Sequence, residues 1–301
     1  MTPPLAKRLK RSVRFAFLRS ALALASLLPL RWAQGLGDGL GSVAFRLLPK
    51  ERAKALTSLA RAFPEKAEAE RWALARACFR HLGRCALEAA VASRLSPSQW
   101  DRLVEVPEAV KSLLLRAVAQ GRGVVAVSGH VGHWELFGWA LVRLGLPLHV
   151  IAREGVDSRL GALAEAFRAR GGVRSILRGT PGAAVAVLRA VRKGAMLGFL
   201  VDQDTRVQSL CVPFFGTLAS TPRAPADLTL RTGAATVVGF LQRGPDGRYQ
   251  LSGAELEVPH SGDAEADAAE LTARYSAAIE AAVRRAPEQW VWMHQRWKTV
   301  C

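Results

Sequence analysis

No uncharged apolar run in this chain approaches the roughly 18 residues that a membrane-spanning helix needs, which excludes a multi-span channel. Acidic residues are scarce: 25 Asp and Glu stand against 42 Lys and Arg, a net charge of +17. Tyrosine occurs twice, too seldom for a base-stacking surface, and no helix-turn-helix, zinc-finger or RRM signature appears. Nucleic acid is therefore not expected as a partner. The four cysteines, Cys78, Cys85, Cys211 and Cys301, form no CxxC pair and read as reduced thiols of a cytosol-facing protein. Cys78 and Cys85 lie about 10 Å apart along one helical stretch, too far for a disulfide. Cys78/His81 and His130/His133 are each spaced by three but sit in different parts of the chain, a weak pattern for zinc. There is no GxSxG elbow and no obvious nucleophile, which argues against a covalent enzyme intermediate.

What is present is a chain of 301 residues, half of them hydrophobic and 22% charged, enough to bury a large core. Its positive balance calls for something negative, either anionic lipid or an acidic partner. Seven basic residues (Lys7, Arg8, Lys10, Arg11, Arg14, Arg19, Arg31) precede the first acid, Asp38. They flank Ser20–Leu30, eleven uncharged residues that span about 16 Å as a helix, half of a bilayer's hydrocarbon thickness. A secretory signal has a similar outline, but Leu30-Arg31-Trp32 stands where a small-residue cleavage site belongs. Residues 1–34 therefore read as a basic amphipathic membrane anchor, with an Ala/Leu core helix as the competing reading.

Residues 35–301 form the second unit, helical over 35–110 and α/β over 111–301. Ala53–Phe63 and Glu65–Arg94 repeat apolar residues every three or four positions, broken at Pro64. Strands are expected at Gly123–Val127, Leu148–Ala152, Val173–Leu177 and Met196–Val201, with helices between them. That alternation implies a mostly parallel central sheet flanked by helices. Asp157 or Ser158 caps the helix before Gly171-Gly172. Thr221-Pro222 reads as N-cap and first residue of a helix reaching Gly233. Ala235–Leu241 and Tyr249–Ser252 form a hairpin, and Ala264–Arg285 is a final long helix.

The sharpest feature is Ser128-Gly-His130-Val-Gly-His133-Trp-Glu135, placed where a buried strand meets a helix, the ligand edge of an α/β sheet. On one ideal helix His130 and Glu135 would diverge by about 140°, so a contact needs His130 in the loop and Glu135 in the first helical turn. A carboxylate so placed can fix the imidazole tautomer and make His130 a general base. The loop amides of Gly129–Val131 are candidate donors to a tetrahedral oxyanion.

These residues, His130-Val-Gly-His-Trp-Glu135, resemble the H-x-x-x-x-[DE] motif of glycerolipid acyltransferases. More closely they resemble the His-x-Gly-x-Trp-Glu form found in the late acyltransferases of lipid A biosynthesis. Val201-Asp-Gln-Asp204, Val212-Pro-Phe-Phe-Gly216, Leu230-Arg-Thr-Gly-Ala234 and Pro287–Lys298 follow in that family's order. The resemblance implies transfer of a fatty acyl chain from acyl carrier protein to a hydroxyl of a phosphorylated glycolipid, a lipid A precursor. The enzyme would work at an anionic membrane, on the cytoplasmic face of the inner membrane, without metal or cofactor. It implies a catalytic dyad of His130 and Glu135, supported by Arg168 on a following helix and Asp202 after a later strand. Another phosphoglycolipid or a lysophospholipid as acceptor, or a non-catalytic membrane-binding scaffold, are the alternatives. Trp290, Trp292 and Trp297 are expected to pack, and Arg296 and Lys298 either to meet phosphate or to be solvated.

Overall fold

The computed structural model describes residues 5–153 and 158–301, with side chains from residue 12 onward except 13, 14 and 17. Asp157, one of the two expected caps, lies outside the described residues, as do the side chains of Lys7, Arg8, Lys10, Arg11 and Arg14. Five helices come first: α1 (Leu5–Ala25), α2 (Leu30–Leu47), α3 (Pro49–Ala62), α4 (Glu68–Ala92) and α5 (Pro97–Leu103). Pro29 starts α2, and Pro49 starts α3 at the position where its missing N–H costs nothing. Among the described residues no helix is long and apolar enough to cross a membrane.

Helices α2 and α4 pack closely because glycine lets them. A Cβ on Gly37 would come within 2.6 Å of the Gly83 carbonyl, and one on Gly41 would run into the Phe79 carbonyl. The α2–α4 pair is then tied to the sheet by Glu88, fully buried on α4. Glu88 accepts hydrogen bonds from Gln34 on α2, from Tyr249 at 2.7 Å, and from the Arg243 guanidinium. A buried carboxylate is tolerable only when paired and saturated in this way.

The remaining elements are β1 (Val104–Glu105), α6 (Glu108–Ala119), β2 (Val124–Ser128), α7 (Trp134–Arg143), β3 (Leu148–Arg153), α8 (Ser158–Arg170), β4 (Arg174–Arg178), α9 (Ala183–Arg192) and β5 (Met196–Leu200). There follow β6 (Ser209–Phe214), β7 (Thr217–Pro222), α10 (Ala224–Thr232), β8 (Ala235–Arg243), β9 (Tyr249–Leu256), α11 (Ala264–Arg285) and a 3₁₀ turn at Pro287–Gln289. Seven strands form one sheet in the order β1-β9-β8-β2-β5-β3-β4, parallel throughout except for the β8–β9 hairpin. Strand β2 is buried along its whole length, as its unbroken apolar run requires. Its side chains alternate between two cores. Val125 and Val127 join α11 and α4, while Val124 and Ala126 join α6 and α7.

Two expectations need correction. Thr221-Pro222 does not open a helix: it ends β7, which pairs antiparallel with β6 in a hairpin outside the main sheet. Helix α10 begins two residues later, at Ala224-Pro225, where the proline again takes the first turn. The cysteines are not all thiols either. Cys211 on β6 is joined to Cys301 across a Cα separation of 5.7 Å, while Cys78 and Cys85 are free and buried. The fold folds the chain's last segment back over β6, a long-range pairing that no local spacing announces.

Candidate active site

Parallel pairing of β2 with β5 sets the loops that leave their carboxyl ends side by side. His130 stands on the first loop and Asp202 on the second. The His130 loop is pinned from both sides. The Gly132 N–H donates to the Gln289 carbonyl at 2.8 Å, and the His133 N–H donates to the Leu241 carbonyl at 2.8 Å. Gly132 has φ +64°, and a Cβ there would strike the Leu241 carbonyl, so glycine is required. The His133 ring caps α7, accepting from the Leu136 N–H at 3.3 Å.

Asp202 meets His130 twice. Its Oδ1 accepts from His130 Nδ1 at 2.7 Å, and its Oδ2 accepts from the His130 backbone N–H at 2.6 Å. Oδ2 also accepts from Trp290 Nε1 at 2.7 Å. Burial by itself would raise the Asp202 carboxyl, but the charge and hydrogen bond of His130, with His294 and Trp290, outweigh it and hold the group well below the usual carboxylate range. With its proton on Nδ1, His130 has its lone pair on Nε2, and its side chain lines a cavity.

Glu135 is placed differently from the sequence expectation. Asp202, rather than Glu135, is the carboxylate on the imidazole. The Trp134 ring stands edge-on to His130, with centroids 5.2 Å apart, and Glu135 one residue later faces α8. There it takes a two-pronged contact from Arg168, Nε at 3.0 Å and Nη2 at 2.6 Å, while Arg168 Nη1 reaches Glu165. Burial opposes the Arg168 charge, yet the two glutamates raise its guanidinium above the usual value. Of the four residues singled out, His130, Glu135 and Arg168 line one cavity and Asp202 sits behind His130.

That cavity has a volume of about 840 Å³. Ala126, Gly138, Leu148, Val150, Val173 and Gly198 line it with apolar surface between the sheet and its helices. Arg153, Arg178 and Arg231 stand on its wall as well. Arg153 and Arg178 are partners in register on β3 and β4, and the neighbouring charge adds to burial in lowering the Arg178 guanidinium. An apolar slot beside a base, with cations near by, suits a ligand that is greasy at one end and anionic at the other.

Three side chains that touch Asp202 or His130 were not singled out from the sequence for that contact. Trp290 is packed, as expected, but its indole N–H is also a third donor to Asp202. Gln203 and His294 stand against His130 itself, with the His294 ring edge-on and its centroid 4.8 Å away. Only their adjacency to Asp202 and to the tryptophan cluster could have signalled them. Arg296, expected to meet phosphate or solvent, is buried and bonded to the Ser220 carbonyl and the Thr221 hydroxyl, whereas Lys298 is exposed. Of the loop amides expected to face an oxyanion, that of His130 is committed to Asp202.

Two side-chain groups among the described residues bring three metal-type donors within 4.8 Å of one another. In Cys85/Glu88/His133 the thiol is pushed up to about 12 by burial, and Glu88 is already bound by Arg243 and Tyr249. In His130/Asp202/His294 the carboxylate already accepts three N–H donors. In both groups the carboxylate is already engaged by hydrogen-bond donors, while His133 Nε2 in the first is buried without a hydrogen-bond partner among the described residues.

The profile of the family described as bacterial lipid A biosynthesis acyltransferase matches residues 6–299. The chain belongs to this family. It is 30% identical over 275 residues to the lipid A biosynthesis palmitoleoyltransferase of Escherichia coli K12, covering 88% of this chain and 84% of that protein. It is 29% identical over 292 residues to the lipid A biosynthesis lauroyltransferase of the same organism, covering 92% and 89%. The lipid A biosynthesis acyltransferase of Shigella flexneri is likewise 30% identical over 275 residues. An O-acyltransferase is thus established, and the cavity beside His130 is its candidate active site.

Proposed function

We propose that this acyltransferase moves a fatty acyl chain from the thioester of acyl carrier protein to a hydroxyl of a lipid A precursor, at the cytoplasmic face of the inner membrane. The observation that carries the reading is His130 Nε2, held as a lone pair by Asp202, on an apolar cavity that also presents Arg153, Arg178 and Arg231. The acyl chain enters the apolar slot. The acceptor hydroxyl gives its proton to His130 Nε2 as its oxygen attacks the thioester carbonyl. Asp202 stabilises the resulting imidazolium. The intermediate then expels the thiolate, which takes the proton back from His130, so atoms and charge balance without a covalent enzyme adduct. General-base help of this kind is worth about 10²- to 10⁴-fold. Glu135 acts through Arg168, holding its guanidinium at the cavity rather than orienting the imidazole. The cations attract the acceptor's phosphates and the acidic carrier.

Membrane association draws support from α2 more than from the basic arm alone. Trp32, Leu36, Leu40, Val43 and Leu47 recur at helical spacing and are 47% to 71% exposed, on the side of α2 away from Gly37 and Gly41. Arg31, Arg46 and Lys50 flank this stripe. An exposed apolar helix face bordered by cations fits the interface of an anionic bilayer. The anchor then comprises α1 and α2 together, and residues 1–34 are its first part.

The deciding experiment incubates purified full-length protein with acyl-carrier thioesters and a phosphorylated glucosamine disaccharide precursor, and reads the products by mass spectrometry. One added acyl chain on the disaccharide is the expected result. Acylation of a lysophospholipid but not the disaccharide would replace the acceptor, and free fatty acid alone would make the protein a hydrolase.

A further inference from the structure

Gln203 follows Asp202 directly in the loop after β5. Its Nε2 lies 3.3 Å from His130 Nε2 and 3.0 Å from His294 Nε2, so one amide group bridges the two imidazoles. A proton count sets the direction of both contacts. Asp202 fixes the His130 proton on Nδ1, which leaves Nε2 an acceptor. Burial, together with the neighbouring His130, lowers His294 to about 4, so its ring also offers an acceptor at neutral pH. The Gln203 amide has two hydrogens and gives one to each ring. Both are spoken for while His130 is neutral.

Proton transfer changes this. Nε2 has one lone pair, so the acceptor hydroxyl displaces this N–H as it approaches; once Nε2 has taken the proton it is itself a donor, and two N–H groups confront each other where the contact was 3.3 Å. The contact becomes repulsive, and one Gln203 N–H is released. The same proton transfer accompanies formation of the tetrahedral oxyanion, whose carbon is bonded to the oxygen that has just left Nε2. Two of the nearby backbone donors are already committed: the His130 amide donates to Asp202 and the Gly132 amide to the Gln289 carbonyl. Building on the acyl-transfer reading above, we propose that Gln203 is a further catalytic residue, donating its released N–H to the oxyanion, and that His294 is a positioning residue that holds the amide beside the base. The hydrogen returns to Nε2 when the thiolate departs with the proton and His130 is neutral again, so the cycle closes without any other reactant.

The test is steady-state kinetics of the full-length protein with an acyl-carrier thioester and the disaccharide acceptor. Gln203→Met keeps the volume but has no N–H. It is expected to lower kcat about 10²- to 10³-fold, as loss of one oxyanion donor does, with KM for either substrate within about twofold. The other charged or titratable groups around His130 stay in place in this variant: Asp202 and His294 in contact, Glu135 and Arg168 on the same cavity. His294→Ala should cost less, about tenfold, and His294→Gln, which can still accept from the amide, should restore most of it. If Gln203→Met unfolds in a melting scan, Gln203→Asn, which retains the N–H on a shorter arm, should fold and show an intermediate kcat. A kcat within about threefold of wild type, or a loss carried wholly by KM, would overturn the role of Gln203. Wild-type protein that transfers no acyl chain would instead remove the reading it rests on, as would an active wild type whose His130→Ala variant keeps its rate.

Discussion

At the scale of single residues the site turns on which carboxylate serves the imidazole. Asp202 is buried, touches His130 through both oxygens, and is held ionised by three donors. Glu135 spends its oxygens on Arg168. Asp202→Asn should therefore reduce turnover about 10²- to 10⁴-fold, because the neutral amide neither fixes the tautomer nor stabilises the imidazolium. Glu135→Gln should cost about tenfold, near 1.4 kcal/mol, through a loosened Arg168. The double variant Glu135→Gln/Arg168→Gln should lose little more than the worse single, since one contact is broken twice. Equal losses for Asp202→Asn and Glu135→Gln, with additive Arg168 effects, would return the orienting role to Glu135. Sequence made His130 legible because the strand expected at Gly123–Val127, the glycine-bounded loop after it and the helix that follows can all be read locally. The Asp202 contact was not legible, since it depends on β5 being β2's neighbour in the sheet, a fact of topology 72 residues away.

Among the elements, α2 joins two demands on its opposite faces. Gly37 and Gly41 let it lie against α4, while the side facing away carries the Trp32-to-Leu47 stripe. The two faces predict opposite results. Leu36→Ser/Leu40→Ser/Val43→Ser alters exposed positions, so the melting temperature should change little. Co-sedimentation with phosphatidylglycerol vesicles should nonetheless fall about tenfold or more, from the lost apolar burial. Gly41→Ala forces α2 away from α4 and should lower stability by about 1–3 kcal/mol in a denaturant titration. A triple variant that binds vesicles as well as wild type would remove α2 from the membrane interface. The repeating elements were readable in advance where pattern and punctuation agree. The final helix has the expected bounds, Ala264–Arg285, and the structure adds the Asp263 side chain as its cap. The β6–β7 hairpin was not, because Thr221-Pro222 satisfies a strand end and a helix start equally well, and pairing with Ser209–Phe214 decides between them.

For the molecule as a whole, the last segment is fastened at several points. Trp290 reaches Asp202, Arg296 reaches β7, Thr299 donates to Asp204, and Cys301 closes a 90-residue span onto Cys211. A cross-link over so long a loop contributes about 2–4 kcal/mol, so dithiothreitol or Cys301→Ser should lower the melting temperature, and reductant should add nothing to the variant. Acid should act more strongly. His81 and His133 are buried and His294 half-buried, and they are lowered to about 4, 3 and 4 by desolvation first, then by neighbouring cations or rings. In the unfolded chain each binds a proton near pH 6.5, and in the folded protein each refuses it until well below that. The unfolded state thus binds more protons throughout this window, and stability falls as pH falls from about 6.5 towards 4. Each histidine contributes up to about 1.4 kcal/mol per pH unit, so the three together reach about 4 kcal/mol per unit, against a total stability of about 5–15 kcal/mol. Asp202, whose folded carboxyl is depressed, adds to the loss only lower down, once the unfolded carboxylates begin to protonate near pH 4. Chemical denaturation at fixed ionic strength should therefore show stability declining steeply between pH 6.5 and 4.5, well above the usual acid transition of carboxylates. His133→Asn keeps an acceptor for the Leu136 N–H at the start of α7 but cannot titrate, and it should flatten that slope by about a third. A slope that is flat in the wild type, or unchanged in this variant, would show that these histidines do not set the acid limit of the fold.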